Sequence, residues 1–301
     1  MQNDLGQDDG EGSEVQTILC SNRVDVIQNN WEKYFMTRHE GLGTTYERFV
    51  LHGYFRRIKA RYNVKKVLES PVFGMTGISG INSLWWAVQG AQVTLVDHHR
   101  ERLNAAKRVW HEMALNARFV YDSGAYAHLP FEDGEFDMAW NFAALNVKPH
   151  ALLEELARVA GKVIFICLPN RFNPFSVIRK GFLKKSKSFE NPGMRSESIE
   201  NGLAALGWQI REKGYFDVPP WPDIAMSKAD FCGKMGLSRY AKRLERKITP
   251  ENRLCVLDYY NGRKKWMKEM ILKYAFLENS PELLKRVWAH HRYYLFEPRV
   301  T

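Results

Sequence analysis

Short apolar runs alternate with segments of helical periodicity over residues 65–168 of this chain. Apolar runs of about four to eight residues predict buried strands, and apolar residues that recur every three or four positions predict amphipathic helices. The predicted order is strand 65–70, helix 80–89, strand 92–97, helix 100–115, strand 117–121, strand 135–142, helix 149–159 and strand 162–168. Strands separated by helices need crossover connections, so this order predicts a parallel sheet with helices on both faces.

The segments on either side of this alternation have other patterns. Residues 1–18 contain too few apolar residues to offset the entropy of ordering, and they predict a disordered acidic tail. Residues 19–63 predict N-terminal helices, because aromatic and aliphatic residues recur there at helical spacing. The alternation continues through one more helix and one more strand to residue 217. Residues 218–289 have mainly helical patterns, and residues 290–301 end in one more aromatic strand.

These patterns together predict an α/β fold. The expected architecture is a doubly wound, Rossmann-like, mostly parallel seven-stranded sheet with N-terminal helices and a helical cap inserted before the last strand. Residues 64–217 are expected to form the sheet domain, and the strand in residues 290–301 is expected to return to the edge of the sheet after the cap.

Composition narrows the class of protein. The chain has 301 residues, of which 45% are hydrophobic and 26% charged, as in ordinary globular proteins. No apolar run reaches the ~18 residues of a membrane-spanning helix, and the N-terminal residues are acidic rather than basic and then apolar. The four cysteines lack the paired spacing of zinc or redox motifs. A cytoplasmic protein with reduced thiols is therefore expected.

The formal charge of +10 raises the question of an anionic partner. Basic residues are concentrated in segments 179–187 and 239–247. Such segments bind phosphate groups in many nucleic-acid-binding proteins, and they also form ordinary solvated surfaces. The charge alone leaves both interpretations open.

A glycine-containing loop follows the first strand of the alternation, within "VLESPVFGMTGISGINSLWWAVQGAQVTLVD". Gly74, Gly77 and Gly80 lie between that strand and the next helix, where backbone amides approach a ligand closely. The second strand ends at Asp97, whose carboxylate can accept hydrogen bonds from both hydroxyls of a ribose or cap the following helix. Loop and acid together favour an adenine nucleoside ligand.

Two cofactor classes share this geometry. The segment "TGISGIN" is typical of short-chain dehydrogenases, which also need a tyrosine and, four residues later, a lysine near the fourth strand. Downstream of the loop only Tyr260 and Lys264 have this spacing, and they lie in the helical segment far beyond the fourth strand. The pattern therefore disfavours a dehydrogenase.

The stretch "VYDSGAYAHLPFEDGEFDMAWNFAALNV" indicates which of the two cofactor classes the chain uses. Asp122 ends the third strand, "LPFEDGEFD" turns the chain, and the fourth strand ends at Asn141 and Phe142. In this order of motifs, about Val64 to Pro169 resembles the class I S-adenosylmethionine-dependent methyltransferases, with a type-11-like methyltransferase domain. The loop departs from the family pattern, because eleven residue steps separate Glu69 from Gly80 where the family has a shorter turn.

The resemblance implies S-adenosyl-L-methionine as the cofactor and gives roles to residues at the strand ends. The methionyl end would be held by the loop and its flanks, the ribose by an acid, and the adenine by residues after the second and third strands. The residues implied for the methionyl end are Glu69, Gly74, Gly77, Gly80, Asn141 and Phe142. Asp97 is implied for the ribose, and His98, Asp122 and Ser123 are implied for the adenine.

The methyl acceptor is less well defined by the sequence. Methyl transfer needs a positioned nucleophile and exclusion of water, so no catalytic residue is predicted. The segment Pro169–Phe189 mixes aromatic and basic residues and favours a small-molecule or lipid-like acceptor, with peripheral contact to an anionic membrane surface. Base methylation is less favoured, because "NFAALN" replaces an "NPPY" motif and Cys167 lies in an apolar strand. Two alternatives stay open, an RNA methyltransferase and a cofactor-less interaction protein with this fold.

No metal site is predicted. His290 and His291 are adjacent in the sequence, but neither has an acid or cysteine at ligand spacing. Both are expected to flank the last strand.

Overall fold

The computed structural model describes residues 31–72, 77–124, 126–142, 149–174, 196–222, 229, 232–233 and 235–299. The α-helices are α1 Trp31–Thr37, α2 Gly41–Tyr62, α3 Leu84–Val88, α4 Arg100–Glu112, α5 Pro149–Val159, α6 Ser196–Ala205, α7 Ser238–Arg246, α8 Val256–Tyr260, α9 Trp266–Leu272 and α10 Glu282–Trp288, with a 3₁₀ helix at Lys273–Asn279. The strands are β1 Lys66–Glu69, β2 Gln92–Asp97, β3 Arg118–Tyr121, β4 Phe136–Phe142, β5 Ala160–Pro169, β6 Trp208–Phe216 and β7 His291–Pro298.

The seven strands form one sheet in the order β3-β2-β1-β4-β5-β7-β6. The first five strands in the chain pair in parallel, whereas β7 runs antiparallel to both β5 and β6. The predicted α/β class and the mostly parallel seven-stranded sheet are confirmed. The last strand, however, does not return to the edge as expected, because it pairs with β5 on one side and β6 on the other.

Helices cover both faces of the sheet. One hydrophobic cluster joins residues of β1, β4 and β5, such as Val67, Trp140 and Phe165, to α2, α3 and the helices of the cap. The other joins alternate residues of the same strands, such as Leu68 and Ala139, to α5 and α6. Successive side chains of a strand point to opposite faces, so each strand contributes to both clusters.

Helix α2 is the predicted N-terminal helix, and it packs on the sheet. Its Phe55 ring lies 4.9 Å from the ring of Trp140 on β4, and both side chains are buried. The helix ends at Tyr62, and its C-cap Asn63 has φ +49°, in the left-handed region that asparagine tolerates. The other elements begin and end close to their predicted positions, except that α3 is limited to Leu84–Val88 because turns precede it.

The helical excursion between β6 and β7 contains helices α7 to α10, as the sequence predicts. The predicted tail 1–18 and the basic segment 179–187 lie outside the described residues. Among the helices that the structure does describe, none combines the length and the hydropathy needed to cross a bilayer.

Candidate functional site

The predicted site residues lie at the carboxyl edge of the parallel strands. Glu69 ends β1, Asp97 ends β2, Asp122 follows β3, and Asn141 and Phe142 end β4. The chain runs from β1 outwards to β3 and then returns to β4 on the other side of β1. This reversal of direction leaves a crevice between β1 and β4, where open α/β sheets bind ligands.

Glu69 is buried at this reversal. Its Oε2 accepts a hydrogen bond of 2.6 Å from the Ser83 hydroxyl, whose oxygen in turn accepts one of 3.1 Å from Trp140 Nε1. Burial raises the pKa of Glu69 to about 7, which the hydrogen bond from Ser83 only partly offsets. A carboxyl group with this pKa can bind a cation or hold a proton near neutral pH.

Ser70 and Asn141 face each other across the β1–β4 junction. The Ser70 backbone N–H donates to the Trp140 carbonyl oxygen over 3.1 Å, and both residues are fully buried. The Ser70 hydroxyl and both polar atoms of the Asn141 amide have no hydrogen-bond partner within the part of the chain that the structure describes. A buried polar atom without a partner costs roughly 1–3 kcal/mol, so these atoms are suited to a polar ligand.

The glycine loop is held by the protein itself. Gly77 has φ +103°, and a Cβ there would lie 2.5 Å from Glu40 Oε1. Gly80 has φ +74°, and a Cβ there would lie 2.8 Å from Ala106 Cβ on α4. The two glycines thus permit a sharp turn and close packing. Gly74 lies outside the described residues.

A buried ion pair lies beside this loop, formed by Arg48 of α2 and by Glu40, which precedes that helix. Arg48 Nη2 donates to Glu40 Oε1 over 2.6 Å, and both side chains are buried. Glu40 Oε1 also accepts from the Ile78 backbone N–H at 3.0 Å, while Arg48 donates to the Ile78 carbonyl oxygen and to Asn82 Oδ1. This pair could not be predicted from the sequence, because no local pattern relates residues 40 and 48 to residue 78.

At the nucleoside end, Asp97 is already hydrogen-bonded within the protein. Arg102 donates to both of its carboxylate oxygens, over 2.6 and 2.7 Å, and the His99 backbone N–H donates over 2.9 Å. Asp97 and Arg102 are fully buried. Asp97 therefore anchors the start of α4 through these contacts, whereas the N-cap of the helix is His99, whose Nδ1 accepts a hydrogen bond from the Arg102 backbone N–H.

Tyr126, which the sequence analysis did not single out, connects the ends of β2 and β3. Its hydroxyl accepts from the His98 backbone N–H over 3.0 Å and lies 2.6 Å from His98 Nδ1. Its backbone N–H donates to Asp122 Oδ2, and the ring is buried. Burial raises the pKa of Tyr126 well above its usual range. The structure brings Asp97, His98 and Asp122 together around this tyrosine, whereas Ser123 is exposed.

A second polar cluster lies beside Phe142, whose ring centroid is 4.8 Å from that of His291. His291 Nδ1 lies 3.0 Å from Glu47 Oε1 and 3.3 Å from Asp217 Oδ2. Although burial lowers the pKa of His291, the two carboxylates raise it to about 10. Sequence spacing could not reveal this cluster, because its members come from α2, the end of β6 and the start of β7.

Three residues considered as functional candidates in the sequence have structural roles. Cys167 is buried in β5, where burial raises the pKa of its thiol well above the usual range. The Tyr260 hydroxyl lies 2.8 Å from His52 Nε2, and Lys264 Nζ donates to the carbonyl oxygens of Pro250 and Arg253. Both residues of the dehydrogenase-type pair are thus engaged in structural contacts, Tyr260 with α2 and Lys264 within the cap.

Comparison with known proteins finds a family model that matches part of the chain. Residues 75–165 match the model of a family described as a methyltransferase domain. Among curated proteins, no significant match to the chain is found. Magnesium protoporphyrin IX methyltransferase from Synechocystis PCC 6803, solved with bound SAH, shares 14% identity and a TM-score of 0.50 over 66% of this chain and 92% of that chain.

Two further solved structures have lower scores. A proposed methyltransferase from Bacillus halodurans C-125 shares 15% identity over 83% of this chain and 99% of that chain, with a TM-score of 0.49. A proposed sarcosine dimethylglycine methyltransferase from Galdieria sulphuraria shares 14% identity over 82% and 84%, with a TM-score of 0.48. The resemblance stated from the motifs is confirmed: residues 75–165 match the methyltransferase-domain family, and the sheet that carries them has the fold of the class I S-adenosylmethionine-dependent methyltransferases.

Proposed function

We propose that this protein is an S-adenosylmethionine-dependent methyltransferase that acts on a small-molecule or lipid-like acceptor. One observation carries the proposal: buried polar atoms of Ser70 and Asn141, which have no hydrogen-bond partner in the described part of the chain, lie where the strand order reverses between β1 and β4. A protein without a ligand there would gain stability by replacing them with apolar groups. Retaining them is consistent with a polar ligand that completes their hydrogen bonds.

Glu69, Ser70 and Asn141 would hold the methionyl end of the cofactor. The methionyl group carries an ammonium and a carboxylate, which need an anionic acceptor and neutral donors. Glu69 supplies the acceptor, and the Ser70 hydroxyl and the Asn141 amide supply donors and acceptors. An ammonium group beside Glu69 would favour its ionised form and lower its pKa from about 7.

Binding of the cofactor's nucleoside requires polar groups of the protein to exchange their present hydrogen-bond partners for the ligand. Asp97 would bind the ribose hydroxyls in place of Arg102, and Asp122, Ser123 and His98 would surround the adenine once the Tyr126 contacts are broken. An adenine can replace the hydrogen bonds of Tyr126. Arg102 is buried and would lose a carboxylate that a neutral ribose does not replace, so the other contacts of the cofactor must offset this cost.

When bound, S-adenosylmethionine supplies an electrophilic methyl group on a sulfonium sulfur. The protein's own contribution would be to orient the acceptor and exclude water. Helix α2 and the cap helices cover the face of the sheet beside the carboxyl ends of β4 and β5, so an acceptor would enter between them. Phe142 and Trp221 are aromatic residues in this region that could contact an apolar acceptor.

Calorimetric titration with S-adenosylmethionine and with its demethylated product tests the proposal. Wild-type protein is expected to bind both, and Asn141→Leu is expected to bind at least about tenfold more weakly, because the replaced amide loses hydrogen bonds to the ligand. Asn104→Leu, the same change at an exposed position of α4, is the control and should bind as wild type. Folded wild-type protein that gives no heat at millimolar ligand would refute the proposal.

The second candidate is a cofactor-less interaction protein with this fold. The bidentate Arg102–Asp97 pair and the buried Tyr126 favour it, because both satisfy polar groups that a nucleoside would otherwise use. The same titration separates the two candidates, since this one predicts no binding by the wild-type protein.

Helix α7 supports a peripheral contact with an anionic surface. Its basic side chains are all exposed, and Leu237 and Tyr240 beside them are also exposed. The basic residues are Arg239, Lys242, Arg243 and Arg246. Cationic helices with adjacent apolar groups bind anionic lipid surfaces, which suits a lipid-like acceptor.

A further inference from the structure

We propose that Glu47, Asp217 and His291 form a binding site for a divalent transition-metal ion such as Mn²⁺ or Zn²⁺. Each residue offers one ligand atom, and these atoms lie within 4.8 Å of one another. The residues come from three places in the chain: α2, the first residue after β6, and the first residue of β7.

The geometry of the three side chains is that of ligands around a common centre. His291 Nδ1 is 3.0 Å from Glu47 Oε1 and 3.3 Å from Asp217 Oδ2. Yet Glu47 Oε1 and His291 Nδ1 have no partner with hydrogen-bond geometry among the described residues, and neither has Asp217 Oδ1. Two ligand atoms that each lie about 2.1 Å from one ion are separated by roughly 3.0 to 3.4 Å. The two separations that involve His291 Nδ1 match that spacing.

Burial and donor chemistry agree with the geometry. The side chains of Glu47 and Asp217 are less than one-tenth exposed, and that of His291 is 15% exposed. In the free protein the imidazolium of His291 balances one of the two buried carboxylate charges, and a divalent cation that replaces this proton would balance both. A set of two carboxylate oxygens and one imidazole nitrogen suits Mn²⁺ or Zn²⁺, and three protein ligands leave positions open for water or a substrate oxygen.

His290 provides the supporting contact that metal ligands usually have. Its Nδ1 lies 2.9 Å from Asp217 Oδ2, and its backbone N–H donates to the Asp217 carbonyl oxygen over 2.9 Å. Hydrogen bonds to a ligating carboxylate fix its orientation. His290 is therefore a positioning residue for Asp217.

The site lies at the base of the cap. The chain leaves the sheet for the cap at Asp217 and re-enters the sheet at His291, and Glu47 joins them from α2. An ion bound to the three would hold the N-terminal helix and both ends of the cap together. Because the ligands are assembled only in the folded protein, ion binding would raise the temperature of unfolding.

Calorimetric titration of the full chain with Mn²⁺ and with Zn²⁺, after removal of metals with a chelator, tests this site. The expected result for wild type is about one ion bound per chain and a higher Tm with the ion than without it. Glu47→Gln and His291→Asn should each weaken binding by at least about tenfold and remove the rise in Tm.

His128→Asn is the matched control, because His128 is exposed and lies 3.8 Å from Glu155. It should bind the ion as wild type does. Circular dichroism establishes that each variant is folded, and Asp217→Asn replaces any variant that is not. If the wild-type protein binds neither ion, the proposal is wrong and the cluster is a metal-free ion pair. If the wild type and the folded variants bind the ion equally well, the proposal is also wrong.

Discussion

At the scale of single residues, the unusual feature is a pair of buried polar side chains that have no hydrogen-bond partner among the described residues. Ser70 and Asn141 are positioned by adjacent parallel strands, so a change at either position alters the crevice without altering the strands. This separates two properties that usually change together in a binding site, the stability of the fold and the affinity for ligand.

Asn141→Leu is expected to stabilise the ligand-free protein. Leucine has nearly the shape of asparagine and removes two unpartnered polar atoms, so the free energy of unfolding should rise by roughly 1–3 kcal/mol. Denaturant unfolding of the two proteins without ligand measures the difference. A clear loss of stability would show that the Asn141 amide has partners in the free protein.

Glu69 should make stability depend on pH. Its pKa is raised from 4.5 to about 7 in the folded protein, so the folded state holds a proton that the unfolded state has lost between those values. Stability contributed by this proton is present below about pH 4.5 and is lost as the pH rises to about 7, by up to about 3 kcal/mol.

Glu69→Gln removes this titration. The variant should therefore gain stability relative to wild type as the pH is raised from 5 to 8, which denaturant unfolding at the two pH values measures. The exposed Glu101→Gln is the control and should show no such gain. Parallel pH profiles for wild type and Glu69→Gln would mean that Glu69 titrates normally.

Local pattern located the strand-end acids but not their partners. Glu69, Asp97 and Asp122 could be predicted because each follows an apolar run of strand length. Arg102 and Tyr126 were missed, because their contacts depend on how a helix start and a turn fold back on the strand ends. The order of motifs was enough to predict the three acids as site residues. Tertiary packing determines which of these acids are already hydrogen-bonded within the protein.

At the scale of elements, α2 is tied to the glycine loop by a buried ion pair. Arg48→Met leaves the Glu40 carboxylate buried beside the loop without its cation. The free energy of unfolding should fall by about 3–5 kcal/mol, which denaturant unfolding measures. The double variant Glu40→Gln with Arg48→Met removes both charges and should recover most of the loss.

The control for this prediction is Arg57→Met on the same helix. Arg57 pairs with Glu212 over 3.2 Å but is 60% exposed, so its loss should change stability by less than about 1 kcal/mol. Equal effects of Arg48→Met and Arg57→Met would show that burial of the Glu40–Arg48 pair has no energetic consequence.

The elements themselves were largely predictable. Alternation of apolar runs and amphipathic helices gave all seven strands and the cap, because each element buries one side and repeats its own period. The position of β7 inside the sheet was not predictable in this way. The order of strands in a sheet depends on pairing between residues that are far apart in the sequence. Hydrophobic periodicity predicts that a segment is a strand, but it does not indicate which strand lies next to it.

At the scale of the whole molecule, we expect the net positive charge to promote binding to anionic lipid surfaces, mainly through the basic side chains of α7. Co-sedimentation with vesicles of neutral lipid and of neutral plus anionic lipid should show binding only to the anionic vesicles, and binding should weaken as salt is raised. Lys242→Glu with Arg246→Glu should reduce it several-fold. Lys107→Glu with Arg108→Glu, an equal change of charge on α4, should reduce it much less, and equal losses would assign the binding to net charge alone.

The placement of β7 has a consequence for biosynthesis. Strand β6 pairs with β7 and with no other described strand, yet some 70 residues separate the two in the chain. A ribosome therefore releases β6 long before it makes the strand that joins β6 to the rest. Until then the nascent polypeptide exposes the free edges of β5 and β6, and it is during this interval that a chaperone would protect it.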